Sequence, residues 1–228
     1  MTPYERARQP VVIFDYDDTI VASKVHRRSA LIETILQLGR TPDVAGFDAA
    51  YGKSFVELIA SIDPNGTFDE FFPAYLEHVR RFPAEILPGA RETLVSLSRA
   101  GVPIGVLSSS DSRLIQAEIE TLGLDSMLTA ICGSDCPIAQ KPDPASFGAI
   151  LKTMELNGSE VIEVFYVGDA LTDLEMSRHA GNRFIAVCTG SISAEQFLEH
   201  GVTEQDVCAT LMESEILQAL ADGAADSY

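Results

Sequence analysis

The chain has 228 residues, 46% of them apolar, which suffices for one large domain or for a domain carrying an insert. Its formal net charge of −18 argues against nucleic acid and anionic membranes as partners, because both are held by basic surface. No apolar run reaches the roughly 18 residues of a spanning helix, and Met1–Arg8 lacks a signal-type segment, so a cytoplasmic location is expected.

The charge is uneven. Residues 21–84 hold seven Lys or Arg and eight Asp or Glu, a net −1, so the remainder carries −17. The four cysteines (Cys132, Cys136, Cys188 and Cys208) have no second close Cys pair or His cluster beside them. They read as buried reduced thiols rather than a zinc site.

The first element is the run Val11-Val12-Ile13-Phe14, a short buried strand with Pro10 before it. It leads directly into Asp15-Tyr16-Asp17-Asp18-Thr19-Ile20, where three acids crowd into four positions. Apolar residues then recur at helical spacing over 24–38, 53–62 and 68–82, with Gly39 and Pro64-Asn65-Gly66 as breaks. No strand-like run is evident between 21 and 84, so this block of about 60 residues is expected to be all helical.

After Pro88-Gly89 the pattern changes. A helix is expected over 89–100, then a strand over 102–107 running into Ser108-Ser109-Ser110, with Asp111 as N-cap of a helix over 112–122. Further strands are expected at 127–132, 161–167, 184–187 and 209–211. Helices are expected at 144–156, 169–180, 193–199 and 213–221, followed by a frayed tail, 222–228. Alternation of this kind gives an α/β fold, a parallel sheet with helices on both faces. The expected domains are a Rossmann-like core, 1–20 with 85–228, and an inserted helical cap domain, 21–84.

Parallel strands place their C-terminal ends on one edge, where open α/β sheets bind ligands. Asp15, Asp17 and Asp18 end the first strand, Ser108 and Ser109 the second, and Asp169 the fourth, with Asp173 four residues on. Lys141, one of only four lysines, lies in a loop beyond the third. Asp15 and Asp169 suit a hard cation such as Mg²⁺. Ser108, the amides after it and the next helix N-terminus suit an anion, and Lys141 adds a point charge. Asp15 can attack as a nucleophile, Asp17 can shuttle the proton, and Asp173 can orient Lys141.

These four motifs resemble the haloacid dehalogenase superfamily nearly end to end. They are Asp15-Tyr-Asp17-Asp18-Thr-Ile20, the strand ending at Ser108, Lys141 in Gln-Lys-Pro-Asp-Pro, and Gly168-Asp169-Ala-Leu-Thr-Asp173. The resemblance implies catalytic roles for Asp15, Asp17 and Lys141, phosphoryl contacts from Ser108 and Ser109, and support from Asp173. It implies Mg²⁺ on Asp15, Asp169 and Asp17, the last through its backbone carbonyl. An all-helical insert between the first two motifs is similar to the caps of phosphoglycolate phosphatase and β-phosphoglucomutase relatives.

Dehalogenases of the family lack an acid two residues after the nucleophile, so Asp17 points to a phosphatase. The residue after that acid is commonly Gly, and here it is Asp18. Lys53 falls where family caps carry a substrate-contacting cation, whereas Arg27, Arg28, Arg80 and Arg81 are expected on solvated faces. The expected function is a Mg²⁺-dependent phosphatase of a small phosphate ester, monomeric or homodimeric, with a mobile cap. The alternatives are a phosphomutase and a catalytically idle binding module on the same fold.

Overall fold

The computed structural model describes residues 8–156 and 160–223. Most of the N-terminal stretch read above for a signal and most of the tail expected to fray lie outside these residues. Strand β1 (Gln9–Phe14) is central in a six-stranded parallel sheet. Its partners are β4 (Ile104–Leu107) on one side and β6 (Val161–Gly168) on the other. Beyond β4 lies β5 (Ala130–Cys132), and beyond β6 lie β7 (Arg183–Val187) and β8 (Val207–Cys208).

Strand β1 starts one residue before Pro10 rather than after it. The pairing with β6 slips between Gln9 and Val11, as expected where proline has no N–H for the ladder. The chain runs from β1 outward in both directions, so the crevice beyond Phe14 is a topological switch point.

Both faces of β1 are buried, and residue parity assigns the sides. Val12, Phe14 and Tyr16 join one core cluster with residues of α5 (Ala90–Arg99), α6 (Ser112–Leu122) and α10 (Glu215–Ala221). Val11 and Ile13 join the other, with residues of α7 (Ser146–Thr153), α8 (Leu171–Ala180) and α9 (Ala194–Glu199). A strand without a polar face reads as a continuous apolar run, as Val11–Phe14 does.

The insert contains α1 (Lys24–Gln37), α2 (Val44–Ala50), α3 (Phe55–Ile62) and α4 (Phe68–Arg81). Helix α2 has no counterpart in the periodicity reading. It spans seven residues including Gly46, and the Asp43 carboxylate caps it by accepting from Ala45 and Gly46 N–H. The helices share an aromatic-rich core of Phe47, Phe55, Phe71 and Tyr75, to which α6 contributes Leu114. The Arg113 guanidinium also lies 4.1 Å from the Phe72 ring centroid, so α4 rests on the start of α6.

Two small elements differ from the sequence reading. Val21–Ala22 (β2) pairs antiparallel with Glu85–Ile86 (β3), tying the two linkers of the insert into a ribbon. Two-residue strands are too short to leave a period. The late strand lies at Val207–Cys208, not 209–211, where a 3₁₀ turn over Leu211–Glu213 begins.

Candidate active site

Buried β1 delivers Asp15 to the sheet edge, where its N–H donates to the Val167 carbonyl at 2.8 Å. Strand β6 ends at Gly168, and Asp169 and Asp173 follow around the start of α8. A Cβ on Gly168 would lie 2.6 Å from the Asp173 carboxylate, so this approach requires glycine. Gly190, after β7, likewise approaches the Asp169 carboxylate too closely for any side chain.

Lys141 reaches into this group. Its Nζ donates to Asp15 Oδ1 at 2.7 Å and pairs with Asp173 Oδ1 at 2.6 Å. The Tyr166 hydroxyl donates to the same Asp173 oxygen at 2.9 Å. Thr19 donates to Asp169 Oδ1 at 3.4 Å. Asp173 thus lies directly against Lys141.

Among the described residues, one ammonium is set against three carboxyl groups. Burial pushes the Asp15 carboxyl up to about 7 against the opposing pull of Lys141, with the Asp173 charge adding to the rise. Burial, with the charges of Asp15, Asp173 and Asp18, pushes Asp169 up to about 9. Oxygens of Asp15, Asp169 and Asp173 lie within 4.8 Å of one another. Hard oxygen donors in a desolvated site, whose joint ionisation calls for added positive charge, fit Mg²⁺. The Asp17 side chain is not among these three donors.

Asp17 has partners of its own. Arg27 Nε donates to its Oδ1 at 3.1 Å, and the Ser110 hydroxyl donates to its Oδ2 at 2.6 Å. Burial works against ionisation, but the Arg27 charge and these hydrogen bonds prevail and hold the carboxyl below its usual value. Arg27, expected on a solvated face, is buried. It also donates through NH2 and NH1 to Glu118 Oε2 at 2.6 Å and Oε1 at 3.3 Å. Glu118 is buried too and accepts from the Tyr16 hydroxyl at 3.0 Å and the Ala84 N–H at 2.6 Å.

The signal for Arg27 was present in the sequence. It stands four and eight residues before Leu31 and Ile35, on the buried stripe of α1. Arg80 and Arg81 are exposed and Arg28 is half-buried.

Asp18 explains the departure from glycine. Its φ is +58°, the left-handed region where glycine is easiest and aspartate tolerated. In return, Asp18 Oδ1 accepts from the N–H groups of Ser23 at 2.9 Å and Lys24 at 3.1 Å, at the open start of α1. Its Oδ2 accepts from the Tyr51 hydroxyl at 3.0 Å.

Ser108 is buried at the end of β4, its Oγ accepting from Ser110 N–H at 3.1 Å, and Ser109 is half-buried beside it. Lys53 is exposed ahead of α3 and makes no hydrogen bond or ion pair with these groups among the described residues. Tyr51, two residues before it, is the cap-loop side chain that does reach the first motif.

Residues 12–187 match the sequence profile of haloacid dehalogenase-like hydrolases. The chain belongs to that family. It is 29% identical over 196 residues to a phosphoglycolate phosphatase of Agrobacterium fabrum, covering 81% of this chain and 83% of that one. A phosphoglycolate phosphatase of Pseudomonas savastanoi is 27% identical over 194 residues, 79% and 70% of the two chains. Among solved structures, CbbY of Rhodobacter sphaeroides in complex with phosphate superposes with a TM-score of 0.72 at 19% identity, covering 90% and 96%. A variant of that protein in complex with xylulose-(1,5)bisphosphate superposes at 0.71 and 18%, covering 89% and 95%. With this family and these relatives, the chain is a phosphatase, a phosphoric monoester hydrolase.

Proposed function

We propose that the enzyme hydrolyses a small phosphorylated metabolite through an aspartyl-phosphate on Asp15, with Mg²⁺ as its metal. The observation that carries this reading is the meeting of Asp15, Lys141, Asp169 and Asp173 at one buried edge. In the first half-reaction an Asp15 oxygen attacks phosphorus, the bond to the leaving oxygen breaks, and Asp17 gives that oxygen a proton. In the second, water attacks the same phosphorus, Asp17 takes the water's proton, and Asp15 and inorganic phosphate are released.

Lys141, Ser108 and Ser109 with the amides beside them hold the phosphoryl oxygens, and Asp173 holds Lys141. Mg²⁺ bound by Asp15 and Asp169, with the Asp17 backbone carbonyl, would neutralise phosphoryl charge. Residues 21–84 act as a cap domain on a core of 1–20 with 85–228, and Lys53 contacts the substrate anion from the cap. Relatives named for phosphoglycolate, and the sugar bisphosphate bound to the CbbY variant, support a small phosphate ester as substrate.

The test is phosphate release from a panel including 2-phosphoglycolate and sugar phosphates, with Mg²⁺ or with chelator. Mg²⁺-dependent release of inorganic phosphate is expected. Isomerised phosphosugar in its place would make the enzyme a mutase, and silence across the panel would remove the reading.

A further inference from the structure

The family motifs leave Arg27 and Ser110 without a task, yet both end on the proton-shuttling side chain. Both oxygens of Asp17 accept hydrogen bonds, Oδ1 from Arg27 Nε at 3.1 Å and Oδ2 from the Ser110 hydroxyl at 2.6 Å. Donors on both oxygens fix the rotation of the carboxyl group, and with it the direction in which a proton can pass. Arg27 is fixed in turn by its forked contact with Glu118, whose other donors are Tyr16 and Ala84. Arg27 belongs to the insert, Ser110 and Glu118 to the core, so the contacts on Asp17 come from both sides.

We infer that Arg27 and Ser110 are positioning residues that hold Asp17 as the base for hydrolysis of the phosphorylated enzyme, with Glu118 anchoring Arg27. The inference rests on the proposed aspartyl-phosphate route. It assigns the two residues to the second half-reaction, where water gives its proton to Asp17 and its oxygen to phosphorus, and Asp15 leaves. The first half-reaction with a weakly basic leaving group draws little on Asp17 and therefore little on the clamp.

The experiment uses p-nitrophenyl phosphate with the Mg²⁺-loaded enzyme and the variants Ser110→Ala, Ser110→Thr, Arg27→Met and Asp17→Asn. Slower dephosphorylation in Ser110→Ala and Arg27→Met lowers kcat about tenfold or more. It lowers KM in parallel, leaves kcat/KM near the parent value, and produces a stoichiometric burst of p-nitrophenolate with phosphate retained on the protein. Ser110→Thr keeps the hydroxyl and restores kcat. Loss of kcat and kcat/KM together, without a burst, is what a merely structural role would give and overturns the inference. Ser110 is a half-buried loop residue, so its variants decide the matter even where Arg27→Met does not fold. Asp17→Asn separates the two claims. If it too retains no phosphate on the protein, the aspartyl-phosphate route itself fails; if it retains phosphate while Ser110→Ala does not, only the clamp fails.

Discussion

Two buried charge clusters flank the segment Asp15-Tyr16-Asp17, and they are balanced differently. On the sheet-edge side, Lys141 is the one cation paired with Asp15 and Asp173 among the described residues, and burial drives Asp15 up to about 7 and Asp169 up to about 9. On the cap side, Arg27 faces Asp17 and Glu118 with neutral donors from Tyr16, Ala84 and Ser110, and Asp17 is held below its usual value despite burial. The lesson is that burial alone does not mark a ligand site. A cluster whose oxygens are all met by donors is finished as folded, whereas one left short of positive charge is built to receive more.

The largest expected effect is on the finished cluster. Glu118→Ala removes the acceptor shared by the insert's α1, its return linker at Ala84 and the first motif. It leaves the Arg27 fork without its main partner. A loss of about 3–5 kcal/mol in chemical denaturation is expected.

The sharper comparison pairs Lys141→Met with Arg27→Met. Each strands buried carboxylates and should cost about 3 kcal/mol. Mg²⁺ should recover much of the Lys141→Met loss, because that cluster offers it oxygen donors, and little of the Arg27→Met loss. Equal recovery in both would mean that the two clusters do not differ in their need for positive charge.

A pH series separates the clusters more gently. Asp15 and Asp169 bind protons more tightly folded than unfolded, where the reference value is 3.8. In the metal-free protein their contribution to stability is therefore undiminished below that value and is lost as pH rises toward about 7 and about 9. Mg²⁺ binds the ionised carboxylates, so the rise in Tm on adding it should be larger at pH 8 than at pH 6. The smallest effect is expected of Tyr51→Phe, which removes one hydrogen bond to Asp18 and should cost about 1 kcal/mol.

Much of this was legible in the sequence because it depends on order and type. Strands that end in Asp15, Ser108 and Asp169 must bring those residues to one edge once the sheet is parallel. Lys141 stood out because lysines are few. The position of Arg27 on the buried stripe of α1 was legible, but its pairing with Glu118 was not. A charge on a helix reads as solvated until its partner is known, and that partner lies 91 positions away on another helix. Asp18 was unreadable because its role depends on a backbone angle, φ +58°, and on Tyr51 brought from the cap loop. Helix α2 and the β2–β3 ribbon were too short to carry a period.

The most direct test of the central claim is rapid-quench trapping of the phosphorylated protein during turnover, followed by mapping of the modified peptide. One phosphoryl group is expected on the peptide bearing Asp15, labile to hydroxylamine as an acyl phosphate is, and neither phosphoprotein nor turnover in Asp15→Asn. Phosphate release that continues in Asp15→Asn, or a phosphoryl group mapped to another residue, would contradict it.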